Sequence, residues 1–172
     1  EKSIATLAGY LVLMFFAAQF VSYFKWSQLG TILAVSGASG LSSLNLPLPI
    51  LLVVFVFLAG IINLFIGSAA AKWALLAPIF IPMFMLLGIT PEATQMAYRI
   101  GDSCTNIITP LMPYFGVVIA FFHHYNKKLG SGTIISLMLP YSAALIVAWV
   151  TLLSLWLILN LPLGPNTYAF LT

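Results

Sequence analysis

The sequence predicts an all-α membrane protein, and three observations carry that reading. The 172 residues are 62% hydrophobic and include only six Lys or Arg and three Asp or Glu, with a mean hydropathy of +1.13. About a quarter of a soluble domain is charged, so this chain cannot cover a water-facing surface and lipid is its solvent. The apolar runs are also uninterrupted, without the alternation of outer-membrane barrel strands. Helices are then the remaining way to satisfy every backbone polar group in hydrocarbon.

The net charge of +3 is spread over scattered basic residues with no basic stripe, which argues against a nucleic-acid partner. Cys104 is the only cysteine, so an intrachain disulfide and a cysteine-based metal site are both excluded. The chain opens on Glu1, and its first apolar run is too long for the core of a signal peptide and lacks a small-residue cleavage pattern. Glu1 therefore reads as an interior point of a longer protein.

Taken in order, residues 1–46 divide into two parts. Ile4 to Phe24 holds no charge and no proline, and about 20 apolar residues span a bilayer core. It is expected to cross the membrane between Glu1-Lys2 and Lys25. Trp26 to Leu46 is rich in Gly and Ser, and reads as a helix at the interface or against protein, followed by a loop. Residues 47–88 hold two apolar runs, Pro49 to Ile66 and Trp73 to Leu87, around the small polar joint "NLFIGSAAAKW". Each run is near the short end for spanning. Two full crossings are possible, and a re-entrant helical hairpin is the preferred expectation. Such a joint survives at membrane depth only inside protein or beside a watery cavity.

Residues 89–126 contain "YRIGDSCTNIITP", where Arg99 and Asp102 interrupt an otherwise apolar chain. The length from Pro91 to Tyr125 fits a crossing made of two half-helices, with an unwound centre expected at Asp102 to Asn106. Residues 127–172 provide a last crossing, Tyr141 to Leu161, after Pro140, and an uncharged tail. Lys127 and Lys128 form the densest basic loop, beside the solvated His123-His124, and place that turn in the cytoplasm. The hairpin then enters from outside.

Arg99 and Asp102 are i and i+3 on a helix and share a face. One reading is that they neutralise each other in a packing pair. The other is that they mark an ion or substrate path, because ionisable residues inside a membrane segment are costly. Ser103, Thr105 and Asn106 add oxygens at the break, so the site could hold Na⁺, or Asp102 could carry a proton. At the joint, the free N–H groups of the second arm attract a carboxylate, with Asn63 and Ser68 adding hydrogen bonds. Small residues there also serve close helix packing. Lys72 can snorkel, and Trp73 can pack or offer an aromatic face to a ring-bearing substrate. Pro78, Pro82, Pro91, Pro110 and Pro113 are expected at kinks and helix ends. The sequence has no HExxH, GxSxG, Walker loop or CxxC, so nothing in it points to an enzyme. Two interrupted elements with polar centres are the usual mark of a secondary transporter's binding site. A channel constricted at Asp102, and a structural subunit with an inert Arg99–Asp102 pair, are the competing readings.

"NLFIGSAAAKWALLAPIFIPMF" and "GITPEATQMAYRIGDSCTNIITPLMPYF" closely resemble the C-terminal half of the p-aminobenzoyl-glutamate transporter (AbgT) family, and "YLVLMFFAAQFVSYFKWSQLG" resembles its preceding helix. The resemblance implies one half of an inverted-repeat, ion-coupled secondary transporter in the bacterial inner membrane, assembled as a homodimer. It implies a small organic anion with an aryl group as substrate, p-aminobenzoyl-glutamate or a related folate metabolite, and for some members export of sulfonamide drugs. The family's important positions fall on Trp73, Pro91, Arg99, Asp102 and Pro110. "DSCTN" is similar to the Ser-Asn-Thr type of Na⁺-binding motif, whereas "GSAAAK" lacks its Asn and Thr. Arg99 and the hairpin N–H groups would hold carboxylate, and Trp73 would stack on the ring. No cofactor is implied beyond a coupling Na⁺ or proton.

Overall fold

A computed structural model describes residues 26–110, 112, 115–125, 130–165 and 167–171, together with 15, 16, 18–20, 22 and 23. Most of the expected first crossing, and Lys127-Lys128 on which the orientation rests, lie outside the described residues. The chain is nearly all helical: α1 (Leu29–Ser43), α2 (Leu48–Phe65), α3 (Ala69–Leu86), α4 (Pro91–Thr105), a 3₁₀ turn (Asn106–Ile108), α5 (Phe115–Tyr125) and α6 (Ser131–Ile158). Among the described residues, α2, α3 and α6 are long and apolar enough to cross a membrane.

Helix α4 organises the rest because its inner face is made of small residues. Ala93, Thr94, Ala97, Tyr98, Gly101, Asp102 and Thr105 recur at helical spacing, and all are buried. A Cβ on Gly101 would lie 2.2 Å from the Val56 carbonyl oxygen of α2. Only a glycine lets the two backbones approach so closely, as small residues do generally where helices pack in membranes. Helix α2 accordingly makes its closest packing with α4, while α1 packs on α3 and α6 on α4. Between α2 and α3 the spacer is aromatic: Phe55 lies 4.7 Å from Phe80 and 5.1 Å from Phe84, centroid to centroid.

Two sequence expectations change here. The central helix does not unwind at Asp102. It continues to Thr105 and gives way at the 3₁₀ turn before Pro110, since a residue preceding proline is driven out of the helical region. The carbonyls around Asp102 are consequently not free: Thr105 Oγ1 donates to Gly101 O at 2.8 Å and Ser142 Oγ to Cys104 O at 2.6 Å. The last helix also starts earlier than Tyr141. It is continuous from Ser131 to Ile158 with Pro140 inside it, and its inward stripe of Ser142, Ile146, Val150, Leu153 and Leu157 packs toward α4. Pro78 and Pro82 likewise sit inside α3 without ending it, and Pro91 opens α4 at its first position, where a missing N–H is harmless.

These contacts fix where the α2–α3 link lies. At the far end, Gly88 (φ 89°) turns the chain out of α3, and Thr90 N donates to Ala169 O at 3.0 Å, joining it to the tail beyond α6. At the near end, Asn63 of α2 reaches the last turn of α4, whose Cys104 is bonded to Ser142. Ser142 is roughly 17 Å along a helix of roughly 42 Å. The link between α2 and α3 is thus level with the middle of α6.

Candidate functional site

The charge on Asp102 is met by Lys72. Asp102 projects from the last turn of α4, and Lys72 from the first turn of α3. Lys72 Nζ is 2.5 Å from Asp102 Oδ1, with Lys72 0% and Asp102 3% exposed. Of the readings left open by the sequence, the packing pair of Arg99 with Asp102 and the snorkelling of Lys72 are therefore not what the structure shows. Positions three apart are still about 60° apart around a helix. That offset is enough to put Asp102 on the buried face with Tyr98 and Thr105, and Arg99 on the exposed face.

Asn63 ties three helical segments to the pair. Its Oδ1 accepts from Lys72 Nζ. Its Nδ2 donates to Asp102 O at 3.0 Å, Thr105 Oγ1 at 2.8 Å and Asn106 Oδ1 at 2.8 Å. Tyr98 closes the other side: its ring centroid is 5.9 Å from Lys72 Nζ, and its hydroxyl donates to Ala69 O at 2.7 Å. Among the described residues, no buried side-chain nitrogen or oxygen lacks a partner. An isolated charge in such a place would be prohibitive, and a complete set of partners makes the pair tolerable.

The remaining expected site residues are dispersed. Thr105 and Asn106 belong to the cluster. Ser68 does not reach it: it caps α3, accepting from Ala71 N at 3.4 Å. Trp73 is half-buried with its ring 4.7 Å from that of Tyr98. One side of the indole is therefore in contact within the protein. Arg99 and Ser103 lie on the outer face of α4. They line a cavity of about 460 Å³ with Glu92, Gln95, Met96 and Trp149. Pro110 is exposed after the 3₁₀ turn.

The oxygens expected to hold Na⁺ do not fit a free ion. Asp102 Oδ1 and Asn63 Oδ1 converge on the Lys72 ammonium, while Thr105 Oγ1 and Asn106 Oδ1 accept from the Asn63 amide. Ser103 faces elsewhere. Among the described residues, no group of three or more His, Cys, Asp and Glu could hold a metal ion.

Sequence reasoning missed the pairing of Lys72 with Asp102, and it missed Tyr98, Ser142 and Trp149. A signal for Lys72 was present, since it is the only charged residue between Lys25 and Glu92. A lone cation in a long apolar stretch requires a buried anion, and Asp102 is the nearest one not at a helix start. Tyr98, Ser142 and Trp149 gave no comparable signal.

Apolar helices packed around a buried ion pair define a multi-pass membrane protein. The "AbgT putative transporter family" matches residues 1–171, and the chain belongs to that family. It is 38% identical over 166 residues to the p-aminobenzoyl-glutamate transport protein of Escherichia coli (strain K12), covering 96% of this chain and 33% of that protein. It also superposes on the crystal structure of the Alcanivorax borkumensis YdaH transporter with a TM-score of 0.86 and 60% identity, over 96% of this chain and 35% of that one. The chain thus spans about a third of the length of both relatives.

Proposed function

We propose that this chain is the C-terminal part of an ion-coupled secondary transporter for p-aminobenzoyl-glutamate or a related aryl-bearing organic anion, possessing no enzymatic activity of its own. The observation that carries the proposal is the buried Lys72–Asp102–Asn63 cluster joining the start of α3, the end of α4 and the end of α2. A buried charge network at the junction of interrupted helices, level with the middle of a long spanning helix, is the arrangement expected of a transport site. It gives a channel little support, because the polar centre is packed and its side chains are bonded to one another. In a merely structural subunit the cluster would have no bearing on flux.

Helices α2 and α3 form a re-entrant hairpin whose tip is the Ile66–Ser68 link. The link's depth beside the middle of α6 supports this, and so does the return of α3 to the same end as the tail beyond α6. The hairpin and the broken α4–α5 element constitute one of two inverted repeats in the complete homodimeric protein of the bacterial inner membrane. The substrate carboxylate binds Arg99 in the cavity beside α4, where a guanidinium can engage it with two hydrogen bonds. Coupling runs through Asp102. A proton suits the geometry, since a neutral Asp102 would release Lys72 and loosen the hairpin tip from α4. Export of sulfonamide drugs through the same cavity accords with their aryl amine chemistry.

The test is flux of labelled p-aminobenzoyl-glutamate through the full-length parent in proteoliposomes, under separately imposed pH and Na⁺ gradients. Wild type accumulates label under the pH gradient, and Asp102→Asn loses that dependence while still exchanging substrate. Unchanged gradient-driven accumulation in Asp102→Asn would make the cluster structural.

A further inference from the structure

We infer that Lys72 is a tethered cation, seated where a free monovalent cation would otherwise bind between the hairpin tip and α4. Three features of the seat recognise positive charge. Asp102 Oδ1 and Asn63 Oδ1 both point at Nζ, and the Tyr98 ring presents its π-face at 5.9 Å. Two of these come from α4 and one from α2, so the seat exists independently of the helix that carries the lysine.

The position of Lys72 on its own helix argues the same way. It is the fourth residue of α3, in the first turn, where the macrodipole disfavours a cation. It also loses all contact with solvent. Local preference and burial both oppose an ammonium here, and a residue that contradicts local preference this strongly is retained for what it does in the assembled structure. The charged and titratable groups around it are few. From α4 they are Asp102 and Tyr98. Arg99 and Glu92 are on the outer face, and Cys104 carries its neutral thiol in the core. From α2 the contribution is the neutral Asn63, and α1 holds no titratable side chain. One ammonium and one carboxylate balance each other, which leaves no uncompensated negative charge to draw Na⁺ in.

The consequence is a latent site. Cutting Lys72 back to alanine removes the ammonium and its four-carbon stem, and leaves Asp102 and Asn63 facing a space that water and Na⁺ can enter. Wild type does not use Na⁺ at this position, whereas Lys72→Ala does.

This inference rests on the transport reading for its flux measurement alone, so a melting measurement accompanies it. Full-length parent is melted in NaCl and in choline chloride at equal ionic strength, as wild type, Lys72→Ala, Asp102→Asn and the double variant. Wild type melts within about 1 °C in the two salts. Lys72→Ala melts lower in choline and gains about 3 °C or more with saturating Na⁺, and the double variant loses that gain. In the flux arm, substrate exchange by Lys72→Ala falls about tenfold or more in choline and recovers in Na⁺, while wild type is indifferent. A saturating Na⁺ shift in wild type that Asp102→Asn abolishes overturns the inference, as does a Lys72→Ala protein without a Na⁺ response. Should Lys72→Ala not purify, the wild-type and Asp102→Asn melts decide on their own. If wild type exchanges no labelled substrate, the transport reading falls, and the melts still decide the role of Lys72.

Discussion

The two faces of α4 put their polar side chains to opposite ends. On the inner face, Asp102, Thr105 and Tyr98 sit among Ala93, Ala97 and Gly101, and every fully buried side-chain nitrogen or oxygen finds a protein partner. On the outer face, Glu92, Gln95, Arg99 and Ser103 border an open cavity with Trp149. The difference teaches that a charge in a membrane segment is not informative alone. Its partner set decides whether it latches helices together or remains available to a ligand. Asp102 is committed within the protein, whereas Arg99 has no ion-pair partner among the described residues.

Four measurements on the full-length parent break or sharpen that contrast. The largest effect is expected from Asp102→Ala, which strands the buried Lys72 ammonium and lowers stability by about 3–5 kcal/mol. Lys72→Met combined with Asp102→Leu should recover most of the loss, giving a large coupling energy in a double-mutant cycle of thermal unfolding. If the single and double variants unfold alike, the pair is not the latch described above.

Gly101→Ala follows. The added methyl would meet the Val56 carbonyl oxygen, which is backbone and cannot swing aside. Overpacking of this kind costs about 1–3 kcal/mol. Separating α2 from α4 should also loosen Asn63 from Asp102, so transport falls together with melting temperature. A Gly101→Ala protein as stable as wild type would mean that α2 and α4 do not touch there.

Ser142→Ala removes a single bond to Cys104 O. Membrane hydrogen bonds average about 0.6 kcal/mol, so a melting shift of that size is expected, with near-normal flux. Arg99→Gln comes last in stability, within about 0.5 kcal/mol of wild type, because nothing buried depends on it. Its effect lies in substrate affinity, expected to weaken about tenfold or more when measured by concentration-dependent uptake. An Arg99→Gln protein that unfolds easily but transports normally would reverse the assignment of the two faces.

The class of fold was legible because it follows from composition: nine charges in 172 residues leave lipid as the only solvent, and lipid leaves helices. Asn63, Thr105 and Asn106 were legible as members of a polar centre because polar groups in apolar runs must gather where they can satisfy one another. Lys72 stayed undecided because flexible lysines at helix ends commonly reach water, and only the fold buries it against Asp102 of α4. Between packing and an open aromatic face the sequence left Trp73 undecided, and the structure sets its ring against that of Tyr98.

By itself, then, the sequence determined the solvent, the helical class, the approximate apolar segments and the neighbourhood of the polar centre. These depend on local composition and on periodicity along the chain. Only the tertiary structure decided which cation answers Asp102, where α4 ends, and which face Arg99 occupies. Those depend on a 60° difference in direction around one helix, and on which neighbouring helix comes close enough to supply a partner. The close approach is set by Gly101 against Val56, two residues that carry no charge at all.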